Sequence, residues 1–390
     1  MQVAGGLAIA LYDGVGPPKS ADVYQGISDL TRHVYCLLGM PIDAVNMEST
    51  LRAINRASSS ADPFLVSTAN LNYLASSLTD AEFRESLLQS DLSIADGMPI
   101  VWIARLLGLP IKERIAGADI LDGLRARTSA RKLDVFFFGG ADGIADLARR
   151  ILNADNGGLF CVGTLNPGYG TPDEMSSDAI IATINTSNAD FLVVALGASK
   201  GQTWLLRNHH RVRIPVRAHL GAAINFQAGS VRRAPKMIRK AGLEWLWRIK
   251  QERHLWTRYW RDGRTLLRLL RTRILPLTWQ GRRRGRAPKE LYIGLRPEKH
   301  SVVLQVSGDA IEPYINHAIG RFQQAVDLAR PLVILDLAAV RHIDQRFFGL
   351  ILMLRKVLHR REATLLFVRA SDRVRRLFQL NELEFLLDTK

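Results

Sequence analysis

"KLDVFFFGGADGIADLARRIL", Lys132 to Leu152, decides the fold. It opens with a short apolar run, passes through a glycine-rich turn at Gly139, Gly140 and Gly143, and continues as an amphipathic helix. A continuous apolar run of this length, bounded by glycines, predicts a strand covered on both faces. "ADFLVVALGASKGQTWLLRNH", Ala189 to His209, repeats the strand, loop and helix. "PFLVSTANLNYL", Pro63 to Leu74, reads as strand, loop and helix start, and "FCVGTLNPGYG", Phe160 to Gly170, as strand and loop. Such alternation predicts an α/β protein with a mostly parallel, Rossmann-like sheet and helices on both faces. Ligands of these sheets sit beyond the carboxyl ends of the strands. Thr68, Gly139, Gly197 and Lys200 fall there, and Asp96 joins them from its own short loop.

The chain has 390 residues, 47% of them hydrophobic, which suits two or three domains with a substantial core. No uncharged apolar run reaches about 18 residues, so no bilayer span is expected. "MQVAGGLAIALYDGVGPPKS" lacks a basic start and makes a poor signal peptide. Cys36 and Cys161 make no disulfide framework, which suits a reducing cytoplasm. The net charge of +16 is unevenly placed: residues 231–290 hold 19 Lys and Arg against 4 Asp and Glu, so this segment alone carries +15. An anionic partner is expected for it: a phosphorylated substrate, nucleic acid or an acidic membrane surface.

Asp96 stands in "LSIADGMPIV", Leu92 to Val101, as the only charge in an apolar stretch. A carboxylate there is costly unless paired, hydrogen-bonded or put to use. On local grounds an Asp-Gly pair reads more readily as a turn. The glycines of "FFFGGADG" fit either a plain tight turn or a cradle for a diphosphate at a helix N-terminus. His209 and His210 read as the solvated end of a helix, and no His, Cys and carboxylate cluster has metal-ligand spacing. Between Arg239 and Leu275, Trp245, Trp247, Trp256 and Trp260 alternate with arginines in an amphipathic basic pattern. It is either a solvated basic helix with buried Trp or a binding surface. "GRRRGRAPKE", Gly281 to Glu290, reads as a linker, and nucleic-acid binding through Arg282 to Arg286 lacks a recognition fold. After it, strands and helices alternate again over about 100 residues, enough for a small α/β domain.

An ordered series of motifs runs from Val34 to Arg261: "LGMPID", "STAN", "ADGMPIVWIARLLG", "ERIAGADIL", "FFFGGADG", "NPGYG", "VALGASK", "GAAINFQAGSVRRAP", "GLEWLWRI" and "RHLWTRY". In this series the chain resembles the bacterial WecG/TagA/CpsF glycosyltransferases. The resemblance implies an inverting transfer from a UDP-sugar to a lipid-diphosphate-linked sugar in surface or exopolysaccharide synthesis. The sugar would be of the N-acetylmannosamine type, its uronic acid, or glucose. It also implies catalytic roles for Asp96, as general base, and for Thr68. Asn70, Arg114, Gly117 and Asp119 would line the sugar or acceptor cleft. Gly139, Gly140, Gly197, Lys200, Gln202 and Arg233 would complete the substrate site. Arg248, Arg253 and Arg258, on a basic appendage folded over the cleft, would neutralise the leaving diphosphate in place of a metal. No metal or cofactor is expected. The same appendage would hold the protein on an anionic membrane, on the cytoplasmic face. The family usually has Pro-Lys-Gln-Glu where this chain has Ser199, Lys200, Gly201 and Gln202. That departure supports the alternative of a degenerate, transferase-like scaffold.

The last unit resembles a STAS domain in "VVLQVSGDA" and "LVILDLAAVRHIDQRFFGLILML". Switchable relatives carry Asp-Ser-Ser-Gly where this chain has Asp344, Gln345, Arg346 and Phe347. The resemblance implies docking of a protein partner, or self-association, without a phosphoserine switch. Arg346 is expected as an exposed cation at the docking face, with one of Phe347 and Phe348 in the core. The expected domains are a variable segment 1–33, the transferase 34–237, the appendage 238–275, a linker 276–292 and the STAS-like unit 293–390. Everything after about Leu270 is expected to be dispensable for catalysis.

Overall fold

The computed structural model describes residues 29–60, 62–127, 131–235, 237–238, 242–282 and 287–387. The expectations for the first 28 residues, and for the arginines at 283–286, lie outside the described residues.

A short antiparallel hairpin, β1 (Val34–Leu37) and β2 (Met40–Asp43), precedes the main sheet. The sheet comprises β3 (Phe64–Ala69), β4 (Leu92–Ala95), β5 (Leu133–Gly139), β6 (Leu159–Leu165), β7 (Phe191–Ala195) and β8 (Val216–His219). Their order is β4-β3-β8-β7-β5-β6 and every pair is parallel. The stretch that predicted a strand buried on both faces behaves so: Val135 and Phe137 enter one apolar core, Phe136 and Phe138 the other. The chain leaves β5 towards β6 and leaves β7 in the opposite direction towards β8. Between the carboxyl ends of β5 and β7 it therefore opens the crevice in which such sheets bind ligands.

After β8 the basic stretch forms helix Glu244–Gln251, the turn Arg253–Leu255 and helix Trp256–Leu269. A π turn, Leu270–Ile274, leads into helix Leu275–Arg282, so the stretch read as a linker opens as helix. Leu269, Ile274 and Leu277 are buried with Ile42, Tyr73 and Leu74. A hydrogen bond from Asn72 to Asp262 (3.5 Å) ties the long basic helix to helix Leu71–Ser77. Trp256 and Trp260 stack on one another at 6.1 Å and face outward, with Leu246, Leu267 and Trp279 also exposed. Among the described residues no helix is long and apolar enough to cross a membrane.

The last unit has a four-stranded sheet, β9 (Tyr292–Pro297), β10 (Ser301–Ala310), β11 (Leu332–Ile343) and β12 (Thr364–Val368), in the order β12-β11-β10-β9. Only β9 is antiparallel to its neighbour. Helices Ile315–Asp327, Gln345–Arg360 and Asp372–Leu380 accompany it.

This unit docks on the first hairpin. Leu30, Val34, Cys36 and Leu88 pack into the same core as Phe347, Phe348 and Met353. Gly349 permits the approach, because a Cβ there would stand 2.1 Å from the Val34 carbonyl oxygen. The expectation for Arg346 is corrected. It is buried, donates from Nη1 to the Val34 carbonyl (3.0 Å) and lies over the Tyr35 ring. Phe347 and Phe348 are both buried, not one of the two. Apolar neighbours and a carbonyl facing the helix start draw these side chains inward, where a solvated docking face was expected.

Lys356 is fully buried at this junction, and its ammonium donates to Asp29 (2.9 Å), Asp91 (2.8 Å) and the Ser90 carbonyl (2.8 Å). Three acceptors meet its three hydrogens, the condition under which a buried cation is tolerated. Arg360 and Arg32 close the cluster against the same carboxylates and Asp43. Burial opposes ionisation of Asp91, but Lys356 and then Arg360 hold its carboxyl well below the usual carboxylate range.

Candidate active site

Asp96 follows β4 directly, and its backbone N–H donates to the Ala69 carbonyl (2.8 Å), which fixes it beside the end of β3. The following helix, Met98–Leu106, takes no side-chain cap, so the turn alone does not account for the carboxylate. Asp96 is partly exposed, with charged neighbours on one side. Burial pushes its carboxyl up to about 7; Arg114 pulls it down, Glu244 and Asp119 push it up, and Arg248 pulls it down. A carboxylate poised near neutrality in a cleft is the form a general base takes.

The charged wall is an ion-pair chain. Arg114 bonds Glu244 and, at 3.1 Å, Asp119. Arg233 spans Asp119 (2.7 Å) and Asp122 (2.7 Å) on helix Gly117–Arg125. Gly117 starts that helix against Leu220, beyond β8. Arg248 pairs with Glu252 (2.9 Å) and is near enough to Asp96 to be held up by its charge. Arg258 stacks over Tyr259, and its buried Nε has no partner in the structure. Arg253 is exposed at the start of its turn. The basic appendage thus brings Glu244 and Arg248 to Asp96.

Other expected residues take supporting places. Asn70 caps helix Leu71–Ser77 by accepting from the Tyr73 N–H (3.1 Å). Gly139 and Gly140 end β5, with the Gly140 N–H on the Ala195 carbonyl (2.9 Å) and open space beside Gly140 and Gly197. They rim the β5–β7 crevice. Lys200 is exposed and donates to the Gly170 carbonyl (2.9 Å), bracing the loop after β6. Thr68 is buried and donates to the His219 carbonyl (3.2 Å). Gln202 is fully buried and donates to Ser67 Oγ (2.7 Å).

Sequence reading missed Glu244, Tyr73 and His219. Glu244 is hidden among arginines that suggest a uniformly basic surface. Tyr73 sits five residues after Thr68, on the first turn of the helix Asn70 caps, a spacing that points it back at the strand end. His219 ends β8, where an imidazole inside a buried strand is itself the signal.

A general base at Asp96 would be competent only when ionised, so kcat/KM is expected to rise with pH through about 7 and to level above it. Steady-state rates from pH 5.5 to 8.5 check this; a flat acid limb removes Asp96 from that role.

Comparison with known proteins adds to this geometry. Residues 35–278 match the Glycosyl transferase WecG/TagA/CpsF family, and residues 296–390 match the STAS domain. Over 192 residues the chain is 29% identical to the N-acetylglucosaminyldiphosphoundecaprenol N-acetyl-beta-D-mannosaminyltransferase of Bacillus spizizenii, covering 49% of this chain and 72% of that one. Over 214 residues it is 22% identical to the protein of the same description from Staphylococcus aureus, covering 54% and 82%. The solved anti-sigma factor antagonist SpoIIAA, in its unphosphorylated form, is 18% identical over 25% of this chain and 85% of its own, with a TM-score of 0.23.

Proposed function

Because the chain belongs to the WecG/TagA/CpsF glycosyl transferase family, and is therefore a glycosyltransferase, we propose that it moves a sugar from a UDP-sugar to a lipid-diphosphate-linked sugar in bacterial surface or exopolysaccharide synthesis. The relatives' names supply the acceptor class and an N-acetylmannosaminyl donor; the uronic acid of that sugar and glucose are the other candidates. The observation that carries the reading is Asp96, a carboxyl raised to about 7 at the sheet's ligand-binding edge and flanked by Arg114 and Arg248.

In this reading the donor's diphosphate lies at the rim formed by Gly139, Gly140 and Gly197. Asp96 takes the proton of the acceptor hydroxyl as that oxygen attacks the anomeric carbon. Attack from the face opposite the departing diphosphate inverts the centre. Thr68 and Asn70 sit at the end of the strand beside Asp96, within the cleft that holds the reacting sugar. Charge developing on the leaving UDP is met by guanidinium groups, which bind phosphate oxygens in pairs. Arg248 and Arg258 are placed for this on the appendage, and Arg253 is exposed for it. The outward Trp256 and Trp260, interleaved with arginines, fit an anionic membrane surface bearing the lipid-linked acceptor. In this reading the protein sits peripherally on the cytoplasmic face of the membrane. A protein partner of the STAS domain, or a second copy, would engage a face other than the one Arg346 occupies.

The test is UDP release from a panel of UDP-sugars with a lipid-diphosphate-linked sugar as acceptor, run in EDTA. Turnover with one donor, undiminished by chelator, is expected. Absence of UDP release with every donor sinks the transferase reading. Loss in EDTA with recovery in magnesium or manganese sinks only the substitution of arginine for metal.

A further inference from the structure

Behind Thr68 lies a polar network that the mechanism above does not use. His219 is buried at the end of β8, with its Nε2 2.6 Å from the Leu196 carbonyl and its Nδ1 2.6 Å from the Tyr73 hydroxyl. Tyr73 is also buried. The Gln202 amide donates to Ser67 Oγ (2.7 Å), Ser67 contacts Ser90 Oγ (2.6 Å), and Ser90 donates to the Ser86 carbonyl (3.0 Å).

The hydrogens around His219 follow from its partners. Leu196 O can only accept, so His219 Nε2 carries the proton, and in a neutral ring Nδ1 must then accept. Burial favours that neutral ring by lowering the imidazole pKa. The hydrogen at Nδ1 therefore comes from the Tyr73 hydroxyl. Ser90 spends its hydrogen on Ser86, so Ser67 donates to Ser90 and accepts from Gln202. The Thr68 hydroxyl goes to the carbonyl of His219 itself, at 3.2 Å. His219 thus touches both Tyr73, through its ring, and Thr68, through its backbone. Gly201 is what makes room for the ring: a Cβ there would lie 2.2 Å from His219 Cδ2.

We propose that Tyr73 and His219 are positioning residues for sugar transfer, the Tyr73 hydroxyl fixing the His219 ring so that the His219 carbonyl holds Thr68 in place beside Asp96. This deepens the transferase reading and rests on it. Neither residue touches the reacting atoms. Tyr73 is close enough to Asp96 for the two to influence one another's charge, so a displaced phenol alters the floor under the base.

The experiment compares Tyr73→Phe, His219→Leu, the double variant and His219→Gln in the full chain, with UDP binding measured on each to report a folded donor site. Each of the first two lowers kcat roughly tenfold, the scale on which small misplacements of reacting groups act, with KM for the UDP-sugar unchanged. The double variant loses no more than either single one. His219→Gln keeps most of the rate, since its amide oxygen can accept from Tyr73 while its NH₂ donates to Leu196 O. If His219→Leu binds no UDP, Tyr73→Phe decides alone. Full kcat in Tyr73→Phe, losses that multiply in the double variant, or His219→Gln no better than His219→Leu each overturn the proposal. An active wild type with any of those results overturns this inference alone; a wild type inactive with every donor removes the transferase reading and this inference with it.

Discussion

Asp96→Asn lowers turnover by about 10²-fold or more and leaves the protein folded. The substitution keeps the shape of the side chain and removes its ability to accept a proton, and a positioned base contributes on the order of 10² to 10⁴ in rate. The sign of the stability change separates chemistry from misfolding. The folded carboxyl is raised to about 7 by burial, against about 3.9 in an unfolded chain. Between those values the unfolded group is charged while the folded one still holds its proton. As pH rises above about 3.9 the group therefore costs the folded state progressively more, and the cost is complete above 7. Asparagine carries no such cost. At pH 7.5 the variant should melt no lower than the wild type while its turnover collapses, the expected exchange of stability for function at an active site. Near-normal turnover in a folded Asp96→Asn protein excludes the general base role.

Lys356→Met should cost about 3 kcal/mol of stability, at the lower end of the range for breaking a buried ion pair, because Arg32 and Arg360 remain against the same carboxylates. The urea midpoint reads this directly. The deficit depends on pH in a definite direction. The depressed Asp91 and Asp29 carboxyls stabilise the fold above about pH 4 and lose that contribution as pH falls through their lower folded values. Both proteins weaken in acid, and the gap between them narrows. Truncation is the stronger form of the same test. Ending the chain at Glu290 uncovers Leu30, Val34, Cys36 and Leu88, and ending it at Leu270 also strips Ile274 and Leu277 from the transferase core. Both shortened chains should be insoluble or inactive, contrary to the expectation that everything after Leu270 is dispensable. A soluble, active protein ending at either point refutes the joint core.

The sheet was legible because its strands are buried on both faces, so Leu133 to Phe138 could hardly be anything else. Asp96 stood out as a lone charge where apolar residues were due, but its local pattern favoured a turn, and only the family resemblance singled it out as a base. What the sequence concealed were matters of pairing across distance. Arg346 reads as an exposed cation until β1, 312 residues earlier, supplies a carbonyl for it. Local pattern carries no record of such a partner. Gly201 and Gln202 read as losses in a motif, but in the folded chain one leaves space for His219 and the other ties its helix to Ser67 of β3. Glu244 was hidden because charge counting reports a segment's sum and not which opposite charge reaches a cleft. The basic segment read as amphipathic, with its tryptophans as one candidate for the buried side; Leu269, Ile274 and Leu277 take that side, and Trp256 and Trp260 face outward.

The hairpin that the STAS-like unit covers is synthesised 312 residues before Arg346, in the helix that buries it. At synthesis rates of roughly 5 to 20 residues per second, Val34 and Cys36 wait about 15 to 60 s for the helix that buries them. During that interval the main sheet can form but one of its flanks stays apolar and open. A nascent chain in this state is a substrate for holding chaperones, and one that stalls before residue 345 stays in it. Synthesis of the STAS-like unit, not completion of the catalytic half, is then the event that closes this flank.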